Sequence, residues 1–445
     1  MYFWDEFIKW KAAILFPEYI FWRKRINNEP KLSPEQIQEL NWQRTKAIFD
    51  HAFLHIPFYR AKYTQAGVSD IRDVACTEDF ERLPILTKDE VRHSASEMIA
   101  VGDSLSKLSK TTTGGSTGEP LCVYRDRKIP YYYFSREIFA TWGIGISDNS
   151  ARINRHVPSP FKKLLSDVFL FPQRKCFLNA NHPIDDSAMD QFTQEIRKIR
   201  PTYIKGYMGA VLQYAEYCRK KQIVIPSLKA VWTSSAPLPE SVRCFMQEVF
   251  HCKVYTQYGC CEIPHLASEC GKQNGMHINY NIRRIEIIDD QGKILPQDTL
   301  GRVIVTDLLD YRFPLVRYCN GDTSRLLSRR CDCGLPYPLM DYVRGRISDT
   351  LQIPGGGAIS GDFLTTVFDA LPNAVKAFQF VQKRDGAIEM NVVPNSDYAN
   401  SHAEIEMVKK RMEKILDGHC SFTVHQVDEI NHDRGKQRFI IREQQ

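Results

Sequence analysis

The sequence predicts a layered α/β protein that carries a second, smaller α+β domain at its C-terminus. Helix-start signals dominate the first hundred residues, and short apolar runs then alternate with amphipathic helical stretches. Past residue 283 the pattern becomes rich in β-branched residues before it turns mixed again. A chain of 445 residues also exceeds what one hydrophobic core normally supports, so two or more domains are expected.

The first hundred residues are predicted to be largely helical. Ser33 and Thr87 are each followed three residues later by Gln or Glu, which is the pattern of a capping box. From about Phe139 onward, strand-like runs at 202–204, 230–233 and 253–256 alternate with helical stretches that span about 186–200 and begin again near Pro239. This alternation is typical of a layered α/β domain.

The last third of the chain predicts a small β unit and then a compact domain. Two β-rich runs between Arg283 and Asp307 flank the turn at 289–292, which favours an antiparallel pair. Strand-like runs at 377–382 and 387–393 and a helix at 404–416 predict a C-terminal α+β unit. We place the boundary near Ser348, which gives domains 1–347 and 348–445.

The composition narrows the class of protein but does not identify its function. Apolar residues make up 43% and charged residues 25% of the chain, as in ordinary globular proteins. The chain has no long uncharged apolar run and no signal peptide, and its 13 cysteines suit a reducing compartment, so a cytoplasmic protein without a transmembrane segment is expected. The net charge of +6 suits an anionic substrate and does not indicate nucleic acid.

The N-terminal segment interleaves aromatic and basic residues, with Trp4, Phe7 and Trp10 beside Lys9 and Lys11. A basic aromatic helix can lie on a membrane surface. It can equally pack against its own domain while its lysines reach water, and the sequence leaves both interpretations open.

A run of hydroxyls and glycines at 111–120 is the first candidate for a binding site. Glycine amides and Ser or Thr hydroxyls surround phosphates readily, and this run supplies Thr113, Gly115, Ser116, Thr117 and Gly118. Glu119 follows Gly118 where a kinase-type phosphate loop has lysine, which excludes that class. The alternative is a flexible linker.

Further motifs follow this loop in a fixed order, at 235–238, 258–262, 318–322, 344–349 and 435–438. Together they resemble the adenylate-forming superfamily. The segments at 55–60 and 83–88 resemble, within it, the phenylacetate-CoA ligase-like family and its capsular-polysaccharide-biosynthesis (CapK-type) branch. The resemblance covers about Ser33 to Arg438, and departs from the family pattern at Gly114, where a hydroxyl is usual, and at Ser348, where Asp is usual.

The resemblance implies an ATP-dependent carboxylate ligase. Such an enzyme forms an acyl-adenylate from a small-molecule carboxylate, releases pyrophosphate, and passes the acyl group to coenzyme A or an amine. Its cofactors would be ATP and Mg²⁺, and a mobile C-terminal lid domain would rotate about the hinge near Ser348 between the two steps.

Each matched residue has an implied role. The loop residues Thr113, Gly115, Ser116, Thr117 and Gly118 would hold the phosphates, and Ser235, Ala236, Pro237, Tyr258 and Gly259 would line the adenine. Asp322 can accept hydrogen bonds from the ribose hydroxyls, and Glu262 suits Mg²⁺. Lys436 would bridge the carboxylate and the α-phosphate, and Arg346 completes the candidate catalytic set with Glu262 and Lys436.

Four residues are candidate zinc ligands, namely Cys270, His277, Cys331 and Cys333. Three thiolates and one imidazole form a common tetrahedral zinc set, although the spacing of the first two is not that of a standard finger. Reduced core cysteines beside a hydrogen-bonded histidine are the alternative. The resemblance implies a structural zinc.

Two rival functions remain. A catalytically impaired, zinc-stapled homologue would act as a binding or scaffold protein, whereas a basic nucleic-acid binder would need interleaved stacking aromatics beyond the N-terminus. The acyl pocket is expected from 131–134, Arg155, His156 and 205–207. The carboxylate, the choice of acceptor and the oligomeric state are left open.

Overall fold

The architecture comes from a computed structural model. It describes residues 2–15, 31–113, 121–126, 128–129, 131, 136–154, 157–180, 184–234, 238, 240–343, 350–353, 357–360, 364, 367–368, 371, 374–394, 396, 398–428 and 440–443. Structural statements below concern these residues.

The helices alternate with strands as the sequence predicts. The α-helices are α1 Tyr2–Leu15, α2 Pro34–His55, α3 Pro57–Gln65, α4 Thr77–Glu81, α5 Lys88–Ser94, α6 Arg136–Ala140, α7 Pro160–Phe169, α8 Asp186–Ile199, α9 Met208–Lys220, α10 Glu240–Phe250 and α11 Ser401–Leu416, with short 3₁₀ helices at Ile71–Asp73 and Leu105–Lys107.

The strands are β1 Ser109–Thr113, β2 Leu121–Arg125, β3 Ser150–Asn154, β4 Lys175–Asn179, β5 Tyr203–Tyr207, β6 Ala230–Ser234, β7 Lys253–Tyr258, β8 Ala267–Glu269, β9 Met276–Ile278, β10 Arg283–Ile288, β11 Gly301–Asp307, β12 Tyr318–Ser324, β13 Leu326–Leu327, β14 Leu339–Met340, β15 Thr350–Ile353, β16 Gly357–Ser360, β17 Val375–Gln382, β18 Ile388–Pro394, β19 Phe422–Gln426 and β20 Ile440–Arg442.

The chain divides into two compact units. The first unit comprises Met1–Gly114, Pro120–Ile146 and Gln257–Val343, and the second comprises Gly115–Glu119, Ser147–Thr256 and Arg344–Gln445. The predicted boundary near Ser348 lies outside the described residues and stays a prediction. By their contacts, the residues that follow it group with the 147–256 region in the second unit.

The first unit is built from the N-terminal helices and three antiparallel arrangements. Strands β1 and β2 form a hairpin, β10, β11 and β12 form a three-stranded sheet, and β13, β14, β9 and β8 follow one another to the end of β7. The two predicted capping boxes at Ser33 and Thr87 begin α2 and α5 as expected. One buried apolar cluster joins the helices to the sheets, and includes Phe49, Tyr63, Phe80, Ile285, Val305 and Tyr318.

The second unit contains a parallel sheet in the order β7, β6, β5, β3, β4 and a C-terminal sheet in the order β19, β18, β17, β20. The predicted helix at 186–200 ends one residue early, because Arg200 takes a left-handed cap conformation with φ 48° before Pro201. Gly206 lies where β5 and β3 approach most closely, since a Cβ there would sit 2.8 Å from the Ile153 carbonyl oxygen. The alternation read from the sequence therefore produces the expected parallel layer.

None of the helices in the described part of the chain combines the length and the apolar run needed to span a bilayer. In α1 the side chain of Ile8 is buried, whereas Trp4 and Trp10 are exposed.

A buried ion pair joins β10 to β11 in the first unit. Arg283 Nη1 donates to Asp307 Oδ1 at 2.5 Å, and Arg283 Nη2 donates to the Pro264 carbonyl at 2.7 Å. Asp307 also accepts from the Tyr131 hydroxyl at 3.2 Å. Neither charged side chain reaches water appreciably, so each depends on the other for its solvation.

We expect Asp307→Ala to lower the free energy of unfolding by about 3–5 kcal/mol, because the guanidinium of Arg283 is left buried without its carboxylate. Urea denaturation measures the change. Asp290→Ala is the matched control on the same hairpin, since its side chain is 92% exposed and 3.7 Å from Arg302, and it should cost less than about 0.5 kcal/mol. Equal effects in the two variants would contradict the assigned role of the buried pair.

Candidate nucleotide site and metal centre

The candidate adenine and ribose residues meet in one buried hydrogen-bond network of the first unit. Tyr258 lies at the end of β7 and Asp322 lies within β12. The Tyr258 hydroxyl donates to Asp322 Oδ2 at 2.8 Å. Asn320 Nδ2 donates both to the Tyr258 oxygen at 2.5 Å and to Asp322 Oδ2 at 2.8 Å, so two motifs separated by some sixty residues in sequence share one carboxylate.

This network keeps the hydroxyl of Tyr258 protonated. Burial, and next the charge of Asp322, raises the pKa of Tyr258 well above its ordinary value. The phenol therefore stays a donor at neutral pH and holds the carboxylate in one orientation. A carboxylate offers about four acceptor positions, which is the chemistry needed for the two hydroxyls of a ribose.

Gly259 makes the turn after β7 possible. A Cβ at this position would lie 2.9 Å from the His265 backbone nitrogen, closer than side-chain carbons normally approach. The glycine therefore lets the chain turn directly behind Tyr258 and keeps the tyrosine at the strand end.

Glu262 is the buried acid of the same motif. Its Oε1 accepts from the Tyr318 hydroxyl at 2.9 Å, and burial together with the Glu262 charge raises the pKa of Tyr318. The glutamate is only 6% exposed and is thereby oriented by a permanent donor. A hard-oxygen ligand of this kind suits Mg²⁺.

The cysteines of the adenine motif have no nucleophilic environment. Cys260 exchanges hydrogen bonds with Ile263, its Sγ accepting from the backbone nitrogen at 3.3 Å, and burial raises its pKa well above the usual value. A raised pKa disfavours the reactive thiolate. Cys261 is exposed.

The four candidate zinc ligands converge although they come from separate segments. The ligand atoms of Cys270, His277, Cys331 and Cys333 all lie within 4.8 Å of one another. Cys270 Sγ is 3.5 Å from Cys331 Sγ, and Cys333 Sγ is 3.1 Å from His277 Nε2. Zn–S bonds of about 2.3 Å and Zn–N bonds of about 2.0 Å require ligand separations of this size, so the donor set fits a tetrahedral metal.

The histidine is oriented for metal binding by a neighbour that the sequence did not indicate. His277 Nδ1 lies 3.0 Å from the Tyr337 carbonyl oxygen, an acceptor that places the ring proton on Nδ1. Nε2 then presents its lone pair to the cysteines, which is the usual arrangement around a metal-bound histidine. Burial raises the pKa of Cys270 to about 12, so a cation is needed to hold this sulfur as a thiolate.

Several predicted site residues fall outside the described residues: Gly115, Ser116, Thr117, Gly118, Ser235, Ala236, Pro237, Arg346 and Lys436. Thr113 is described, at the end of β1 and paired with Leu121 of β2, so the candidate phosphate loop connects two antiparallel strands. Tyr318 and Asn320 belong to the motif at 318–322, but the sequence predicted no role for either residue. Their spacing of two from one another and from Asp322 on one strand was the available signal, because it places all three side chains on one face.

The chain is similar to known ligases along most of its length. Residues 351–443 match the family described as CapK C-terminal domain. The phenylacetate-coenzyme A ligase of Thermus thermophilus is 26% identical over 371 residues, which cover 80% of this chain and 81% of the relative. That of Pseudomonas putida is 24% identical over 333 residues, which cover 73% and 72%.

Solved structures of 2-hydroxyisobutyryl-CoA ligase share the fold. The postadenylation complex with R3-HIB-AMP aligns with a TM-score of 0.65 at 20% identity, covering 92% of this chain and 90% of that one. The complex with 2-HIB-AMP and CoA in the thioesterification state aligns with a TM-score of 0.64. The predicted α/β fold class is thereby confirmed, and the chain is an adenylate-forming ligase similar to the phenylacetate-coenzyme A ligases, with a match to the CapK C-terminal domain at residues 351–443.

Proposed function

We propose that this ligase activates a small-molecule carboxylate with ATP and Mg²⁺, releases pyrophosphate, and transfers the acyl group from the adenylate to coenzyme A. The observation that carries the proposal is the shared carboxylate of Asp322, held by Tyr258 and Asn320. It presents a fixed, buried acceptor beside Tyr258, which lies at the carboxyl end of β7, and ligands bind at the carboxyl ends of the strands in open α/β sheets.

The described residues have positioning roles in the first step. Asp322 accepts the ribose hydroxyls and so fixes the sugar, while the ring of Tyr258 supplies a flat face for the adenine. The carboxylate of the substrate attacks the α-phosphorus, the bond from that phosphorus to the bridging oxygen breaks, and pyrophosphate leaves with the electron pair. Holding the two reactants in line accounts for a large part of such catalysis.

Charge builds on phosphate oxygens during this step, and cations stabilise it. Glu262, oriented by Tyr318, would hold the Mg²⁺ that neutralises the nucleotide phosphates. Lys436 is proposed to bridge the attacking carboxylate and the α-phosphate, and Arg346 to belong to the hinge segment. The loop from Gly115 to Gly118 is proposed to hold the departing phosphates.

Coenzyme A is the proposed acceptor because relatives along most of the chain are named as coenzyme A ligases. An amine is the alternative, since an adenylate reacts with either nucleophile. Product analysis after adding coenzyme A or a panel of amines separates them: a thioester supports the proposal, and an amide formed in preference to a thioester contradicts it.

A structural zinc is the second part of the proposal. The four donors of the cluster leave no coordination position open, and His277 is already held by the Tyr337 carbonyl. The metal would therefore join the segment after β8 to the segment before β14 and take no part in the reaction.

Lys436→Ala should depress carboxylate-dependent ATP–pyrophosphate exchange by about two to three orders of magnitude, because the transition state loses a preorganised cation. Thermal stabilisation by ATP and magnesium should change little. Lys410→Ala, an exposed lysine on α11, serves as the control and should exchange normally. If Lys436→Ala exchanges pyrophosphate as fast as the wild type, the result contradicts the proposed role of Lys436.

Asp322→Ala should abolish discrimination between ATP and its 2′-deoxy analogue. The wild-type enzyme is expected to favour ATP by about tenfold in kcat/KM, since a hydrogen bond to a charged group is worth about 1.5–3 kcal/mol. The variant should bring that ratio close to one, and Asp290→Ala should retain the wild-type ratio. A variant that still discriminates would show that the ribose lies elsewhere.

Protein purified without chelator should contain about one equivalent of zinc per chain by elemental analysis. Cys331→Ser should lose the metal and several degrees of melting temperature, whereas Cys244→Ser, which alters an exposed cysteine, should keep both. Less than about half an equivalent in the wild-type protein would count against the site.

A further inference from the structure

The parallel sheet of the second unit has one apolar face and one charged face. Side chains alternate along each strand, and Ile204 and Val231 face the apolar core. The opposite face carries Lys175 of β4, Arg152 of β3 and Lys205 of β5, which we call the cationic cluster. Strands in a sheet covered on both sides normally carry apolar residues on both faces, so these three cations need an explanation.

The strand register places the cations side by side. Arg152 is directly opposite Lys205, and neighbouring strands lie about 4.8 Å apart. Lys175 is paired with Ser150, one step along the same face. Like charges at such distances repel one another unless an anion lies between them.

Within the described part of the chain, no carboxylate forms an ion pair with any member of the cationic cluster. Arg152 Nε donates only a long hydrogen bond, 3.4 Å, to Ser150 Oγ. The Lys205 ammonium lies 3.6 Å from the ring centroid of Trp232, a contact that compensates a buried cation in part. Asp167, the acid whose charge acts on Lys175, pairs with Lys163 at 3.7 Å.

The positive charges of the cationic cluster therefore repel one another in the free protein. Burial, and next the charge of Arg152, lowers the pKa of Lys205 to about 7. The same two causes lower the pKa of Lys175 to about 7, against the opposite effect of Asp167. The hydroxyl of Tyr203 lies on the same face of β5. It is buried and has no hydrogen-bond acceptor among the described residues.

Arg152 and Lys205 are the middle residues of their strands, and Lys175 is the first residue of β4; in open α/β sheets ligands bind at the carboxyl ends of the strands. Arg152 and Lys205 each precede the last residue of their strand by two positions, a depth of about 7 Å. Both side chains are partly exposed, so solvent reaches them. β6, beside β5, ends at Ser234, directly before the segment proposed to line the adenine.

We propose that Arg152 and Lys205, supported by Lys175, form a subsite for an oxyanion carried by the acyl substrate. The substrate class is then an acid with a second anionic group, either a distal carboxylate or a phosphate. This inference rests on the proposed carboxylate activation and narrows its substrate.

The test uses acids in matched pairs that differ only in a distal carboxylate, namely hexanoate with adipate and phenylacetate with 4-carboxyphenylacetate. Calorimetry without ATP measures binding directly, and pyrophosphate release measures activation. The wild-type enzyme should bind a dianionic member at least about tenfold more tightly than its partner. Lys205→Met and Arg152→Met should each weaken binding of the dianionic acid by about 10- to 100-fold and so bring the ratio of dianion to monoanion affinity close to one.

Lys198→Met, which removes an exposed lysine of α8, is the matched control and should bind both acids as the wild type does. Lys205→Met should melt at the same temperature as the unliganded wild type or higher, because it removes a repelling charge from a partly buried site. If one Met variant does not fold, the other still tests the subsite, because the same loss of affinity for the dianionic acid is expected of it.

Proton uptake provides a readout that a merely structural lysine would not give. An anion favours the charged form of Lys205 and Lys175, so binding near pH 7 should take up protons, and calorimetry in buffers of different ionisation enthalpy measures their number. Affinity for the dianion should fall as the pH rises from 6 to 8, since the free lysines lose their protons in that range. Lys205→Met should reduce the uptake.

Several results would overturn the subsite. Equal binding of dianionic and monoanionic acids to the wild type is one such result, and Met variants that weaken both acids alike are another. A Lys205→Met variant that binds coenzyme A more weakly but 3′-dephospho-coenzyme A normally would assign the anion to the acceptor. These results differ from those expected if the proposed function itself is wrong. In that case no pyrophosphate is released, while calorimetry still shows the preference for the dianionic acid.

Discussion

The candidate nucleotide site depends on one buried carboxylate. Asp322 accepts from Tyr258 and Asn320 at the same oxygen, and this shared acceptor joins the end of β7 to the middle of β12. Because a buried charge without donors is costly, the contact favours the placement of these two strands that keeps both donors on the carboxylate. The same contact orients the group that we assign to the ribose, so stability and binding geometry share one origin.

Further buried charged side chains of the first unit form ion pairs. Arg283 and Asp307 join β10 to β11 in the same unit, and Arg317 pairs with Glu286 at 3.1 Å. The cluster formed by Cys270, His277, Cys331 and Cys333 joins further segments of that unit. Such pairs rarely add much net stability, but they penalise any arrangement that separates them, and this favours a single geometry for the site.

The sequence predicted much of this architecture because its signals are local. Capping boxes at Ser33 and Thr87 and the alternation between 186 and 258 depend on residues within a few positions of one another. The contact between Tyr258 and Asp322 is a tertiary contact between residues 64 positions apart, which periodicity does not reveal. The same holds for the Tyr337 carbonyl behind His277. The cationic cluster required the register of three strands, since the sequence assigns Lys205 to the expected acyl pocket but does not connect it with Arg152 or Lys175. The loop at 114–120, Arg346 and Lys436 lie outside the described residues and remain predictions from motif resemblance.

The central claim is that the carboxylate of the substrate attacks the α-phosphorus of ATP. Its most direct test is a single turnover with a carboxylate labelled with heavy oxygen, followed by mass spectrometry of the nucleotide product. The account predicts AMP that carries one labelled oxygen, together with pyrophosphate. ADP with labelled inorganic phosphate would place the attack on the γ-phosphorus and contradict it.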